Sequence, residues 1–254
     1  MLKMVGIDKS FNIGTINEKQ IFKGLNLTIN DGDFITVIGG NGAGKSTMLN
    51  LIAGVHKADG GRIFLDNEDL TYKNETQRAK YIGRVFQDPM MGTAPSMMIE
   101  ENLAIAARRG KTPGLKWSLN EKDHDWFVEM LKELDLGLEN RMTAKVGLLS
   151  GGQRQALTLL MATIKRPKLL LLDEHTAALD PKTAAKVLSL TERIIDRDKL
   201  TALMITHNMR DALKYGNRLI MMYNGRILVD VAGEEKKNLT TQDLLLMFEK
   251  AAGN

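Results

Sequence analysis

Three short stretches of this sequence combine residue types that could hold and cleave a phosphoanhydride. The first reads Gly39-Gly40-Asn41-Gly42-Ala43-Gly44-Lys45-Ser46-Thr47. Its glycines let backbone N–H groups wrap phosphate oxygens, Lys45 supplies a cation for the β- and γ-oxygens, and the Ser46 hydroxyl is suited to Mg²⁺. The second, Leu169-Leu170-Leu171-Leu172-Asp173-Glu174, is an apolar run that ends on two carboxylates. A buried strand of that kind delivers Asp173 to a magnesium shell and leaves Glu174 to orient or deprotonate an attacking water. The third, Leu149-Ser150-Gly151-Gly152-Gln153, sets a hydroxyl and two glycines at the start of the helix-compatible run 153–164. Free N–H groups and the helix dipole make that start a second anion site. Each stretch also has a plain structural reading: a glycine turn before a helix, a strand ending in a solvated acidic turn, a helix cap. Their occurrence together favours two separate phosphate-reading surfaces in one chain.

The surrounding elements have the order that such loops need. Residues 24–29 alternate apolar and polar, Asn30-Asp31-Gly32 reads as a turn, and 34–38 is a β-branched run leading into the glycine loop. Residues 45–53 then read as a helix stopped by Gly54, and 62–65 as a short strand between Gly60-Gly61 and Asp66-Asn67. From about 90 to 168 the texture becomes helical, with Trp126, Phe127, Met130, Leu131 and Leu134 at helical spacing. After Pro167 the α/β pattern returns: a buried strand at 169–172, then a helix with Asp180 as cap and Pro181 at its first position, carrying Val187, Leu190, Thr191 and Ile194 on one face. A strand at 203–206, a hairpin of 219–223 and 226–231 around Asn224-Gly225, and a last helix at 241–252 complete the reading. The expected class is α/β, with 1–89 and 166–254 as the core with its β subdomain and 90–165 as an inserted helical subdomain.

With these motifs in this order, the sequence resembles the ATP-binding-cassette (ABC) ATPases over roughly residues 2–231. The resemblance implies a P-loop NTPase fold, with a RecA-like core, an antiparallel β subdomain and an inserted helical subdomain. It implies ATP hydrolysis with Mg²⁺. Gln87, in Val85-Phe86-Gln87-Asp88-Pro89, matches the family's Q-loop, which senses Mg²⁺ or the attacking water. His207 matches the switch histidine that reaches the γ-phosphate, and Ala178-Leu179-Asp180 matches the D-loop, although Asp180 would equally serve as a helix cap. By the same resemblance Ser150, Gly151, Gly152 and Gln153 close over the γ-phosphate held by a second copy, which implies a head-to-tail homodimer with two ATPs at its interface. Phe11 stands where the family stacks an aromatic on adenine; Phe22 lies nearby, and either could be ordinary core. Two positions depart from the pattern. Gly40 replaces a usual proline or serine, and His175 replaces a usual proline, which would leave the turn after Glu174 less rigid and open to titration.

Composition bounds the rest. The 254 residues, 43% hydrophobic and 26% charged, fit one large α/β domain rather than a disordered chain. With no cysteine, disulfides, thiolate metal sites and cysteine catalysis are excluded, and a reducing cytosol fits. A net charge of +4 is far from the basic stripe of a nucleic-acid binder, so no nucleic-acid partner is expected. No apolar run is long enough for a signal peptide or a bilayer span, so a separate transmembrane permease would supply any membrane part. The expected protein is therefore a cytoplasmic ATPase, peripheral on the inner face of the membrane, that drives import with a permease and a substrate-binding protein. The rival readings are a soluble ABC ATPase, such as that of iron–sulfur cluster assembly, and an exporter ATPase. Residues 88–96 and His175 are similar to importer ATPases linked with aromatic amino-acid uptake, which points to an amino-acid cargo. Met90, Met91, Met97 and Met98 would suit a groove for a partner helix, or would fill the helical subdomain's own core.

Overall fold

The computed structural model describes residues 1–110 and 121–252. In chain order the elements are β1 (Leu2–Phe11), β2 (Lys19–Ile29), β3 (Phe34–Gly39), α1 (Lys45–Ala53), β4 (Gly60–Leu65), β5 (Glu68–Asp69), α2 (Glu75–Arg78), β6 (Ile82–Val85), α3 (Ile99–Ala107), α4 (Glu121–Lys132), α5 (Gly151–Thr163), β7 (Leu169–Asp173), α6 (Pro181–Asp198), β8 (Ala202–Ile205), α7 (Met209–Lys214), β9 (Arg218–Tyr223), β10 (Arg226–Ala232), α8 (Gly233–Lys237) and α9 (Thr241–Ala252). Two compact units result: Met1–Arg78 with Lys199–Asn254, and Ala79–Asp198.

The first unit carries an antiparallel sheet in the order β2-β1-β4-β5. It also carries the parallel pairings of β3 with β8 and with β9, onto which β10 folds back antiparallel. β3 and β8 are almost wholly apolar and buried, the composition expected of parallel strands covered on both faces. The β9–β10 connection is the expected two-residue turn, with Asn224 at φ 45 and Gly225 at φ 73. β2 begins at Lys19, ahead of the expected 24, and β1 has no counterpart in the sequence reading. Register shifts between Met4 and Ile7, with Gly6 at φ 60, break the period-two alternation by which β1 would have been recognised.

In the second unit β6 and β7 pair in parallel. α6 is amphipathic and buries Val187, Leu188, Leu190, Thr191, Ile194 and Ile195. α3, α4 and α5 fall within the stretch expected to be helical, of which positions 111–120 lie outside the described residues. α5 starts at Gly151, two residues before the apolar run that predicted it. Ser150 and Gln153 form a reciprocal capping box that draws both glycines into the first turn. β6, α7 and α8 span four to six residues each, too short for periodicity to reveal them.

One buried cation braces the first unit. Arg78, 1% exposed, donates from Nη1 to Leu51 O (2.7 Å) and Ile52 O (2.8 Å), from Nη2 to Leu70 O (2.6 Å) and from Nε to Lys73 O (2.8 Å). Leu51 and Ile52 lie in the last turn of α1, where Leu51 O also accepts from Gly54 N at 3.3 Å and the helix dipole favours a positive charge. Gly54 ends that helix at φ 84, and a Cβ there would meet Arg78 Nε at 2.8 Å, so the tight approach and the left-handed turn both require glycine. Burial lowers the guanidinium pKa to about 10, so it remains charged at neutral pH. Replacement by methionine removes these donors, with Leu51 O and Leu70 O keeping the backbone N–H groups of Gly54 and Lys73, and Arg78→Met is expected to lose about 3–5 kcal/mol in urea denaturation. A loss below about 1 kcal/mol would mean that the carbonyls find other partners.

Candidate functional site

The glycine loop lies in the first unit, between the buried strand β3 and helix α1. Gly42 at φ 79 and Gly44 at φ 99 adopt the left-handed backbone that side chains disfavour. A Cβ on Gly44 would lie 2.7 Å from the ring of the buried Phe22, and one on Gly39 would lie 2.5 Å from Met222 O. The loop is therefore held tightly against β2 and β9. Gly225 N, from the hairpin turn, donates to Ala43 O at 3.1 Å. Lys45, 5% exposed, donates from Nζ to Gly39 O (2.7 Å) and Gly40 O (3.1 Å). Asn41, Gly42 and Ser46 are exposed, Thr47 is half-buried, and Ala43 and Gly44 are buried. Exposed groups on a rigid loop of this shape can meet a phosphate without rearranging the core.

His207 follows β8, and Thr206 N donates to Val37 O of β3 at 3.1 Å. The parallel pairing of β3 with β8 thus puts the loop and the exposed His207 side by side at the carboxyl ends of neighbouring strands, where ligands bind in open α/β sheets. Phe11 ends β1 on the rung opposite Lys19. Its half-buried ring meets His56 edge-on, with centroids 5.2 Å apart, and lies under Lys9 Nζ. Phe22 is wholly buried beneath the loop, so of the two rings only Phe11 has a face within reach of solvent. Lys19, which the sequence reading passed over, sends Nζ to 3.8 Å from where a Cβ on Gly42 would stand.

The carboxylates lie in the second unit. β7 is buried up to Asp173, and the parallel pairing with β6 brings Gln87, just beyond β6, to the same end as Asp173 and Glu174. Arg84 Nη2 lies 3.2 Å from Asp173 Oδ2, the two side chains being 13% and 15% exposed, while the guanidinium stacks over Phe86 at 4.5 Å. The sequence reading passed over Arg84, because β6 is too short for periodicity to mark the strand that carries it. Glu174 sits at φ 47, a left-handed backbone that a non-glycine residue adopts only when its surroundings fix it. No cluster of three or more His, Cys, Asp or Glu side chains able to hold a metal occurs among the described residues. Within this unit Gln87 and Asp173 offer an amide and a carboxylate oxygen, and in the first unit Ser46 offers an exposed hydroxyl; each is a hard oxygen donor of the kind that suits Mg²⁺.

Ser150 Oγ accepts from Gln153 N (3.3 Å), and Ser150 N donates to Gln153 Oε1 (3.2 Å), so Ser150 and Gly151 stand exposed at the amino end of α5. Gly152 is buried against α6, and a Cβ there would meet Thr183 Cγ2 at 2.2 Å. Further along α5, the buried Gln155 donates to Phe86 O at 3.2 Å, tying this helix to the backbone beside Gln87. Asp180 caps α6 through Thr183 N at 3.1 Å. His175 corrects the expectation of a loose, titratable turn. Its ring is 1% exposed, Nε2 lies 3.0 Å from Thr191 Oγ1, and burial lowers its pKa to about 4.

A family model described as ABC transporter matches residues 22–177. A tyrosine transport ATP-binding protein of Clostridioides difficile (strain R20291) is 45% identical over 251 residues, covering 99% of this chain and 100% of that protein. The spermidine/putrescine import ATP-binding protein PotA of Shigella flexneri serotype 5b (strain 8401) is 36% identical over 243 residues, 94% of this chain and 60% of the relative, which is therefore considerably longer. Among solved structures, a dimeric ATP-binding cassette in a post-hydrolysis state with ADP and Pi superposes with a TM-score of 0.76 at 28% identity, over 91% of this chain and 98% of that one.

The buried imidazole gives a pH signature. Unfolded, His175 takes up a proton near pH 6.5; folded, it does so near pH 4. Its contribution is fully present above the unfolded value and is lost as pH falls towards 4, by about 3 kcal/mol over the window. Stability measured against pH should fall less steeply in His175→Gln than in the wild type between these limits; identical slopes would contradict the burial of a neutral ring.

Proposed function

The chain belongs to the ABC transporter family, and from that premise we propose that it is the ATP-hydrolysing subunit of an importer, working as a head-to-tail pair of copies on a separate membrane permease. Its fold is that of a P-loop NTPase cassette, and the family activity is ATP hydrolysis. The observation that carries the proposal is the presence of two unlike half-sites: a phosphate loop with His207 beside it, and a carboxylate pair at a strand end in the unit that also presents the Ser150–Gly151 surface. In this reading Gly39, Asn41, Gly42, Ala43 and Gly44 cradle the phosphates, Thr47 follows them, and Lys45 exchanges a loop carbonyl for a phosphate oxygen. Phe11 offers its ring to adenine. Ser46, Gln87 and Asp173 would hold Mg²⁺, which when bound supplies charge neutralisation for the transferring phosphoryl group. Glu174 orients the attacking water and accepts its proton, His207 reaches the γ-phosphate, and Ser150, Gly151, Gly152 and Gln153 of one copy close on the ATP held by the other. Binding that uses both copies favours closure, and hydrolysis releases it.

A transport role is supported by the names of both relatives, import by that of the spermidine/putrescine relative, and a membrane partner by the surface of the second unit. No helix among the described residues is long and apolar enough to cross a membrane. Met90, Met91 and Met98 are 41%, 68% and 37% exposed, so these three side chains face outward, and Met97 beside them is half-buried. Adaptable apolar side chains directly after Gln87 suit a short helix of a permease. The residues 90–165 would then form the helical subdomain that carries this surface. The cargo is assigned no more finely than an organic amine or amino acid, the class shared by the two relatives' names.

Lys45→Ala should weaken ATP binding. Glu174→Gln should bind ATP normally, lose about 10²-fold or more in turnover and accumulate as an ATP-bound dimer on size exclusion. Turnover at the wild-type rate in Glu174→Gln would remove Glu174 from the reaction. The docking surface has its own test. Met91→Asp with Met97→Asp should keep thermal stability and basal ATPase but lose co-purification with the permease, since charge is costly in a desolvated groove and harmless in water. Unfolding of that double variant would make the methionines core, and undiminished co-purification would place the contact elsewhere.

A further inference from the structure

We infer that His175 is a positioning residue for the hydrolytic step: the hydrogen bond from its imidazole to Thr191 fixes the turn in which Glu174 is presented. The inference rests on the reading of Glu174 as the group that activates water. It is carried by a chain of contacts within the second unit. Thr191, 1% exposed and in the middle of α6, donates its one hydroxyl hydrogen to Val187 O at 2.8 Å. Its oxygen can therefore only accept from His175, which places the ring N–H on Nε2 at 3.0 Å. A deprotonated Nε2 at that position would set two acceptors face to face, so the direction of the bond follows from the network.

The residue before this pin is the one in need of support. Glu174, at φ 47, occupies a backbone region that costs a non-glycine residue about 1–3 kcal/mol and persists only where neighbours over-determine it. Two successive turns follow, Ala177 N to Glu174 O at 2.9 Å and Leu179 N to Thr176 O at 3.1 Å, before Asp180 caps α6. The segment from Glu174 to Asp180 thus leaves β7 at one end, enters α6 at the other, and is anchored midway along α6 by a single buried side chain. Release of that anchor leaves the β7 end, the two turns and the α6 cap in place but removes the buried side-chain tie that sets where the turn at Glu174 lies against α6. A displacement of a water-activating carboxylate by about 1 Å is enough to slow a reaction that depends on alignment. Nucleotide binding, which in this reading uses the phosphate loop of the other unit, should not change.

The test compares steady-state ATPase kinetics of the full chain with His175→Leu, Thr191→Val, Thr191→Ser and the His175→Leu/Thr191→Val pair, beside Glu174→Gln. His175→Leu and Thr191→Val should each lower kcat by about tenfold or more with KM for ATP within about twofold of wild type. The pair should be no slower than the worse single variant, because both remove one interaction. Thr191→Ser, which keeps the hydroxyl, should restore most of kcat. Wild-type kcat in folded His175→Leu or in Thr191→Val would overturn the inference, as would a fall in Thr191→Ser equal to that in Thr191→Val or a shift confined to KM. Should His175→Leu not fold, Thr191→Val decides, since it exchanges one hydroxyl for a methyl group. Glu174→Gln separates the two readings: if it turns over normally, the role of Glu174 fails and this inference with it, whereas an inactive Glu174→Gln beside fully active Thr191→Val refutes the positioning role alone.

Discussion

The passage from β3 into α1 is the constraint around which the first unit is organised. Within a few residues the chain must leave a buried strand, turn through the glycine loop and begin a helix, with Lys45 turned back so that its ammonium meets Gly39 O and Gly40 O. Left-handed dihedrals at Gly42 and Gly44 make the turn, and close packing under Gly39 and Gly44 leaves no room for a side chain. Rigidity comes from outside the loop as well. The β9–β10 turn grips it at Ala43 O, and Arg78 holds the far end of α1 by its last carbonyls. A phosphate-reading surface of this kind can be both exposed and fixed, which is what electrostatic stabilisation of a transferring group needs.

The second unit meets the complementary requirement, that acidic and amide side chains be held at a strand end without a neutral core around them. Each has a fixed neighbour. Arg84 faces Asp173, Gln155 holds the backbone beside Gln87, and His175 braces the turn after Glu174. The guanidinium is partly covered and stacked on Phe86, so its charge acts on Asp173 through little intervening water. Where a hydrolytic site depends on alignment, such neighbours matter as much as the groups that touch the substrate.

The conformation of the motifs was legible in the sequence because its determinants are local. A glycine loop before a helix, an apolar run ending in Asp173-Glu174, a hydroxyl with two glycines opening α5, and Asn224-Gly225 between two strands each fix their own conformation within a few residues. What stayed hidden depends on distance or on broken periodicity. Arg78 reaches carbonyls 27 and 26 residues away, and His175 finds Thr191 16 residues along the chain. Nothing in the types of those residues announces the partner. β1 was obscured by its bulges, and the first turn of α5 by glycines that propensity alone would exclude from a helix. The exposure of the methionines after Gln87 likewise had to be seen rather than read, since an unbranched apolar side chain serves core and surface equally.

The central claim is that one ATP is held by the phosphate loop of one copy and the Ser150–Gly151 surface of another. The most direct measurement mixes two variants that are each inactive alone: Ser150→Arg, whose phosphate loop is intact, and Lys45→Ala, whose Ser150 surface is intact. A shared site predicts that the mixture regains ATPase activity, because a mixed pair contains one site built from the two undamaged halves. A mixture that stays inactive at every ratio, with both variants folded and mixed pairs present, would mean that each copy must supply both halves of its own site and would contradict the account.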